Sequence, residues 1–123
     1  MAIILSIETS SSVCSVAVHK EGVLIGCNEI SVANSHSEVV TVLIESLLQN
    51  LGLVLKELDG ICIGKGPGSY TGLRIGTSTA KGLCYSLGVP LLAVDTLQGL
   101  YAQVQPVYNQ DDCLYCPMLD ARR

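Results

Sequence analysis

The sequence predicts an α/β fold on a mixed five-stranded sheet, in which three antiparallel strands are followed by a parallel βαβα unit. Two observations predict it. Short apolar segments separated by polar turns occupy residues 2–30, and apolar residues then recur at helical spacing between further short apolar runs. Strand–helix alternation in the second half implies parallel strands joined by right-handed crossovers, with the helices packed on the sheet.

The first part of the chain predicts three strands. Residues 2–7 are an apolar run that ends in a polar turn at residues 8–12. Residues 14–18 and 23–30 are two more strand-like segments, and the sequence Lys-Glu-Gly at 20–22 is typical of a hairpin turn between them. We therefore expect an antiparallel meander.

A change of period after residue 34 predicts the first helix. Ser35 and Glu38 have the spacing of a capping box, and a helix from 36 to about 51 follows, ended by Gly52. Its apolar stripe comprises Val40, Leu43, Ile44, Leu47 and Leu51. Val39 and Val42 widen that apolar surface beyond what one sheet contact would bury.

The second half predicts two βα units. A short strand at 60–64 leads through a glycine-rich turn into a helix from about 71 to 87, and a strand at 91–94 leads into a helix at 96–104 capped by Asp95. A polar connection at 105–112 precedes a strand-like segment at 114–119. Three antiparallel strands followed by βαβα is the plan of the actin, Hsp70 and sugar-kinase superfold, a ribonuclease H-like arrangement.

Composition and charge exclude several classes of protein. Hydrophobic residues make up 49% of the chain and charged residues 15%, which indicates a folded globular domain. No apolar run reaches the roughly 18 residues of a membrane span, and no basic segment opens the chain, so we expect a cytoplasmic protein. The net charge is −4 without a basic patch, so any RNA would be bound mainly by another chain.

The cysteine pattern predicts reduced thiols and no metal site. One pair, Cys113 and Cys116, forms a lone CxxC, and neither a second pair nor a nearby histidine completes a zinc site. The others are scattered singly among apolar residues, where cysteine behaves as a small hydrophobe: Cys14, Cys27, Cys62 and Cys84.

Two polar segments predict a nucleotide site. A carboxylate and hydroxyls on the first turn can hold a phosphate-bound magnesium, and glycines before a helix N-terminus let backbone amides approach an anion. The second segment lacks the Gly-Lys-Ser/Thr of a Walker A loop. An ordinary hairpin turn and a strand-to-helix turn that requires positive φ remain open. The candidate nucleotide-binding residues are Glu8, Thr9, Ser10, Gly66, Gly68 and Ser69.

The second helix carries small residues on one face. An interior glycine costs a helix up to about 1 kcal/mol relative to alanine, so several of them indicate close approach of another backbone. That backbone belongs either to the same domain or to a partner. With the wide apolar first helix, we expect a partner surface that comprises Val39, Val42, Leu43, Gly72, Gly76, Thr79 and Gly82.

The glycine-rich run resembles the signature of the TsaB (YeaZ) family. Residues 66–76, GPGSYTGLRIG, and 80–83, AKGL, carry the resemblance. Residues 7–10 resemble the family's Ile-Asp-Thr-Ser, residues 34–38 its Asn-His-Ser-Glu helix start, and residues 120–123 its Asp-Ala-Arg-Arg. Because the family is about twice as long, the resemblance implies that 1–110 is an actin-like N-terminal domain and 111–123 the start of a second domain.

The resemblance implies a role in making N6-threonylcarbamoyladenosine at position 37 of tRNA. A member would be a non-catalytic subunit that scaffolds and activates the transferase TsaD through its helical face, assisted by the ATPase TsaE. It would contact tRNA only indirectly and form a homodimer when alone. The paralogous transferase carries a metal-binding His-x-x-x-His, and the match places Thr96 and Leu100 at those positions. We therefore expect no catalytic residue and no metal.

The resemblance also bears on nucleotide binding. Glu8 stands where the family has aspartate, which changes the geometry for magnesium, and no adenine-binding segment lies in the chain. We expect no resident cofactor and at most weak binding of ATP or ADP with magnesium. Two alternatives stay open: a fragment of an ATP-dependent small-molecule kinase of the same superfold, and an M22-like glycoprotease-type peptidase that would bind a metal.

Overall fold

A computed structural model describes residues 2–31, 37–108 and 111–120 of the chain. The strands are β1 (Ile3–Glu8), β2 (Val13–Lys20), β3 (Val23–Ser31), β4 (Gly60–Gly64) and β5 (Leu91–Val94). The helices are α1 (Ser37–Leu51), α2 (Tyr70–Leu87) and α3 (Thr96–Val104), with a short 3-10 turn at Leu55–Glu57. The predicted elements up to residue 104 are present within a few residues of their expected bounds.

The five strands form one mixed sheet in the order β3-β2-β1-β4-β5. β1 and β2 are antiparallel, as are β2 and β3, whereas β4 runs parallel to β1 and β5 parallel to β4. α1 connects β3 to β4, and α2 connects β4 to β5. The predicted α/β class and sheet are therefore confirmed, and β1 lies at the centre with the polar turn at its end.

The core lies between one face of this sheet and the helices α1 and α2. Burial alternates along β1 because successive side chains point to opposite faces, and Leu5 is fully buried on the helix side. α1 contributes Val40, Ile44, Leu47 and Leu48 to the same cluster. The buried hydrophobic residues are aliphatic side chains and one cysteine, and the five tyrosines of the chain all lie outside this core.

The β2–β3 hairpin turn has the predicted position and a specific geometry. Glu21 and Gly22 have φ of 51° and 79°. Two successive residues with positive φ are the mark of the hairpin turn whose twist matches that of the strands. The amide of Glu21 also donates to the carbonyl of Ala2, at 2.9 Å, which ties the turn to the start of β1.

The prediction of a strand at 114–119 is wrong. Residues 113–120 contain no strand, because a strand needs a neighbour with which to exchange backbone hydrogen bonds and the described residues offer none there. Instead, Tyr115 packs edge-to-face against Tyr101 of α3, and Leu114 is fully exposed. The predicted capping box at Ser35 lies outside the described residues.

No helix among the described residues has the length and hydrophobicity needed to cross a lipid bilayer.

The burial of β4 generates a stability prediction. Ile61→Ala should lower the free energy of unfolding by about 2–5 kcal/mol, because Ile61 has no exposed surface and its removal leaves a cavity. Leu114→Ala should change it by less than about 0.5 kcal/mol, because that side chain is fully exposed. Urea denaturation followed by circular dichroism compares the two variants, and equal effects would contradict the described core.

Candidate functional site

The six residues predicted to bind a nucleotide come together at the end of the sheet where β1 and β4 finish. The turn after β1 meets the glycine loop, residues 65–69, which joins β4 to α2. The amide of Ser69 donates to the carbonyl of Ser10 at 2.7 Å. Gly68 lies against the same residue, so closely that a Cβ at position 68 would overlap Ser10. The two segments are therefore in direct backbone contact.

Thr9 connects this turn to α2. Its side chain is 3% exposed, and its hydroxyl donates to the carbonyl of Gly72 at 2.6 Å. A Cβ at Gly72 would overlap the carbonyl oxygen of Thr9, and a Cβ at Gly76 would overlap its hydroxyl. These two glycines are buried. They allow the backbone of α2 to lie directly against the end of β1.

This contact corrects part of the expected partner surface. The sequence predicts that Gly72 and Gly76 receive a partner's backbone, but the backbone they receive is that of Thr9 in the same chain. The pattern of small residues identifies close approach correctly and assigns it to the wrong neighbour. Gly82, more than one helical turn beyond, is exposed, and a Cβ added there would have no atom within 4 Å.

The other residues of the expected partner surface divide by exposure. Val39 and Leu43 are half-buried and pack at the margin of the core, whereas Val42 is 61% exposed. Thr79 is half-buried, and its hydroxyl donates to the carbonyl of Ile75. It lines a shallow surface groove of about 310 Å³ with Thr71, Arg74, Ile75 and Ser78.

Four hydrogen-bond donors among these residues are already used within the chain. The Thr9 hydroxyl and the amides of Ser10, Gly66 and Ser69 all donate within the chain. The Ser69 hydroxyl accepts the amide of Gly72 at 3.2 Å and so caps α2. An anion would need these donors to be directed at it. These hydrogen bonds match a strand-to-helix turn held against the first turn by its own backbone.

The carboxylate of Glu8 lies against Ser10 and Gly64 of the same chain. Its Oε1 accepts the amide of Ser10 at 2.8 Å, and a Cβ at Gly64 would overlap its carboxylate.

Burial raises the pKa of the neighbouring Cys62 thiol, the hydrogen bond from Ser6 opposes the rise, and the charge of Glu8 adds to it. A raised pKa keeps that thiol protonated and therefore weakly nucleophilic. All six cysteines lie within the described residues, and none of them forms a disulfide.

Thr96 holds the glycine loop from the other side. Its hydroxyl accepts the amide of Gly66 at 3.1 Å, and its own amide donates to the carbonyl of Gly66 at 2.9 Å. Thr96 is 6% exposed, and Asp95 beside it caps α3 by accepting the amide of Leu97. In the sequence, Thr96 stands out only as the position of an absent metal ligand. Its position at the start of a capped helix, next to the end of β5, was the signal that could have indicated an anchoring role.

The described residues contain no group of three or more histidine, cysteine, aspartate or glutamate side chains placed to share a metal ion. Leu100, the second position of the histidine pair expected in the paralogue, is half-buried on α3. The absence of a metal remains a prediction for the whole protein.

Comparisons with known proteins agree with this architecture. The family model described as "TsaD: tRNA N6-adenosine threonylcarbamoyltransferase" matches residues 26–123. The "tRNA threonylcarbamoyladenosine biosynthesis protein TsaB" of Bacillus subtilis (strain 168) is 37% identical over 120 residues, which are 98% of this chain and 51% of that protein. The chain belongs to the TsaB (YeaZ) family.

Solved structures support the TsaB assignment and the fold. The chain is similar to YeaZ from Pseudomonas aeruginosa, with a TM-score of 0.81 and 32% identity over 86% of this chain and 49% of that one. RuvC from T. thermophilus, at 8% identity and a TM-score of 0.54, shares the ribonuclease H-like fold alone. The chain spans about half the length of the curated TsaB relatives it matches.

Two glycines of α2 provide a matched test of the Thr9 contact. Gly76→Ala should lower the free energy of unfolding by about 1–3 kcal/mol, because its methyl group would overpack against Thr9. Gly82→Ala meets open space and should raise that free energy by up to about 1 kcal/mol through helix propensity. Thermal and urea denaturation measure both, and a stabilising Gly76→Ala would exclude the contact.

Proposed function

We propose that this domain is a non-catalytic subunit of the machinery that makes N6-threonylcarbamoyladenosine on tRNA. Its family membership supports a role in that pathway. The observation that carries the non-catalytic part is the closed cluster, the group formed at the end of β1 by Glu8, Thr9 and Ser10 together with the glycine loop. There the Thr9 hydroxyl and the amides of Ser10, Gly66 and Ser69 are hydrogen-bonded within the chain. Thr96 occupies a position where the paralogous transferase is expected to have a metal ligand.

The proposed partner is a TsaD-type transferase. It would be scaffolded and activated by the outer face of α1 and α2, where Val42 is 61% exposed and Tyr85 94% exposed. Exposed apolar and aromatic side chains on adjacent helices are typical of a protein interface. A TsaE-type ATPase would assist the pair, and the domain would form a homodimer when alone.

The transferase would contribute most of the contact with tRNA. The net charge of this chain is −4, and the phosphates of tRNA would be repelled by it unless a partner supplied the basic surface.

Nucleotide binding is the first test of the closed cluster. Calorimetric titration with ATP and magnesium should give a dissociation constant above about 100 μM, which corresponds to less than about 5.5 kcal/mol of binding free energy. The physical reason is that phosphate would have to displace hydrogen bonds such as that from Thr9 to Gly72. Submicromolar binding would instead favour the kinase alternative.

Partner binding is the second test, and the chain offers two valines of similar exposure for it. Val42 on α1 is 61% exposed and Val23 on the edge strand β3 is 65% exposed. Val42→Asp should abolish co-purification with a TsaD-type transferase and lower the yield of threonylcarbamoyladenosine in a reconstituted reaction. Val23→Asp should leave both unchanged. The proposal would be rejected if the wild-type chain neither binds the transferase nor raises its activity.

A further inference from the structure

The hydrogen bonds of the glycine loop connect the start of α3 to the start of α2. Thr96, the first residue of α3, pairs with both backbone groups of Gly66. Its hydroxyl accepts the amide of Gly66 at 3.1 Å, and its own amide donates to the carbonyl of Gly66 at 2.9 Å. These two groups belong to the two peptide units that flank Gly66. One residue of α3 thus fixes the orientation of both units.

Gly66 lies in turn against α2. A Cβ at this position would be 3.2 Å from Cδ1 of Leu73, so the backbone of the loop contacts the first turn of the helix. At the end of the loop, Ser69 caps the same turn. Its hydroxyl accepts the amide of Gly72 at 3.2 Å, and its carbonyl accepts the amide of Leu73 at 2.8 Å. Direct contacts therefore link Thr96 to the beginning of α2.

The glycine loop buries little apolar surface of its own. Gly66 is half-buried, and the other residues of 65–69 are exposed. α3 is attached in a similar way, because Thr96 is the one buried residue among its nine. Segments with few buried apolar contacts open locally at a low cost in free energy. The position of the loop therefore depends on its hydrogen bonds, and Thr96 provides two of them.

The first turn of α2 carries side chains that suit a protein interface. Tyr70 is 75% exposed, and the guanidinium of Arg74 lies 5.5 Å from the centre of its ring. Tyrosine and arginine are among the residues that contribute most often to binding hot spots. A partner that met this turn unformed would have to order it on binding, and that ordering lowers the affinity.

We propose that Thr96 is a positioning residue for partner binding, which acts through Gly66 to keep the first turn of α2 formed. The partner face of α2 is then in order only while the start of α3 is in place. This inference rests on the proposed function for the identity of the partner. It adds the distant element on which that face depends. The hydroxyl at the position expected for a metal ligand in the paralogue thus has a mechanical role in this chain.

Two substitutions of Thr96 separate its hydroxyl from its shape. Thr96→Val keeps a β-branched side chain and removes the acceptor of the Gly66 amide, whereas Thr96→Ser keeps the hydroxyl. The matched control is Asp59→Ala. The carboxylate of Asp59 accepts the amide of Ile3 at 2.7 Å, where β1 and β4 begin, so this variant also leaves one amide without its acceptor. Circular dichroism and urea denaturation check that each variant folds.

Hydrogen exchange followed by NMR measures the first turn of α2. The decisive amides are those of Gly72 and Leu73, because the amide of Gly66 loses its own acceptor directly. Thr96→Val should speed their exchange about tenfold or more, since an unpaired amide favours opening of the loop. Thr96→Ser and Asp59→Ala should leave both rates unchanged. In the wild type, exchange at Thr96 and at Leu73 should depend equally on urea concentration, because the two amides share one opening.

Binding of a TsaD-type transferase is measured on the same variants. Its dissociation constant should rise about tenfold in Thr96→Val, because the first turn of α2 must then be ordered on binding. The wild type, Thr96→Ser and Asp59→Ala should bind equally. Rescue by serine distinguishes the hydroxyl from a general loss of packing at a buried position.

Four results would overturn the inference. They are wild-type exchange at Gly72 and Leu73 in Thr96→Val, equal acceleration there by Asp59→Ala, failure of Thr96→Ser to restore slow exchange, and unchanged transferase affinity in Thr96→Val. If the valine variant does not fold, unequal urea dependence at Thr96 and Leu73 in the wild type overturns it instead. A wild type that shows the expected exchange and neither binds nor activates the transferase would remove the proposed function and leave the coupling of α3 to α2.

Discussion

The backbone contact between the turn after β1 and the start of α2 is the constraint on which the rest of the structure depends. Thr9 is buried there and donates to a carbonyl of α2, and the helix can approach because positions 72 and 76 carry no side chain. A net contribution of about 1 kcal/mol is typical for one such hydrogen bond, but its geometric effect is larger. It fixes the rotation of α2 about its own axis. The residues half a turn away, Arg74 and Ser78, are thereby directed to solvent.

The same contact explains why several backbone donors of the glycine loop point into the chain. In a phosphate-binding turn the amides point into open space, and glycine is needed so that the ligand can come close. Here the space beside the loop is filled by Ser10 on one side and by Thr96 on the other. Glycine is needed so that the chain can come close to itself. One sequence feature therefore supports two different kinds of site, and only the identity of the neighbour separates them.

Most of the sheet and the helices up to residue 104 could be predicted, because their periodicity is a local property of the sequence. The run at 2–7 and the repeat through Leu47 leave few alternatives to a strand and a helix. The neighbour of Gly72 could not be predicted, since Thr9 is 63 residues away in sequence and no local pattern connects them. The strand predicted at 114–119 fails for a related reason: its apolar residues suit a strand, but pairing depends on a neighbour that the described chain lacks. The anchoring role of Thr96 likewise depends on a contact with a distant loop.

The aliphatic core has an optical consequence. The chain has no tryptophan and no phenylalanine, and its five tyrosines lie at or near the surface. Tyrosine emission therefore reports little about whether the interior is packed, because the rings are hydrated before unfolding as well as after it. Tyr70 and Tyr85 stand instead at the two ends of α2, the helix that faces outward. The intrinsic fluorescence of this molecule is thus a reporter of what covers its surface rather than of its folded state.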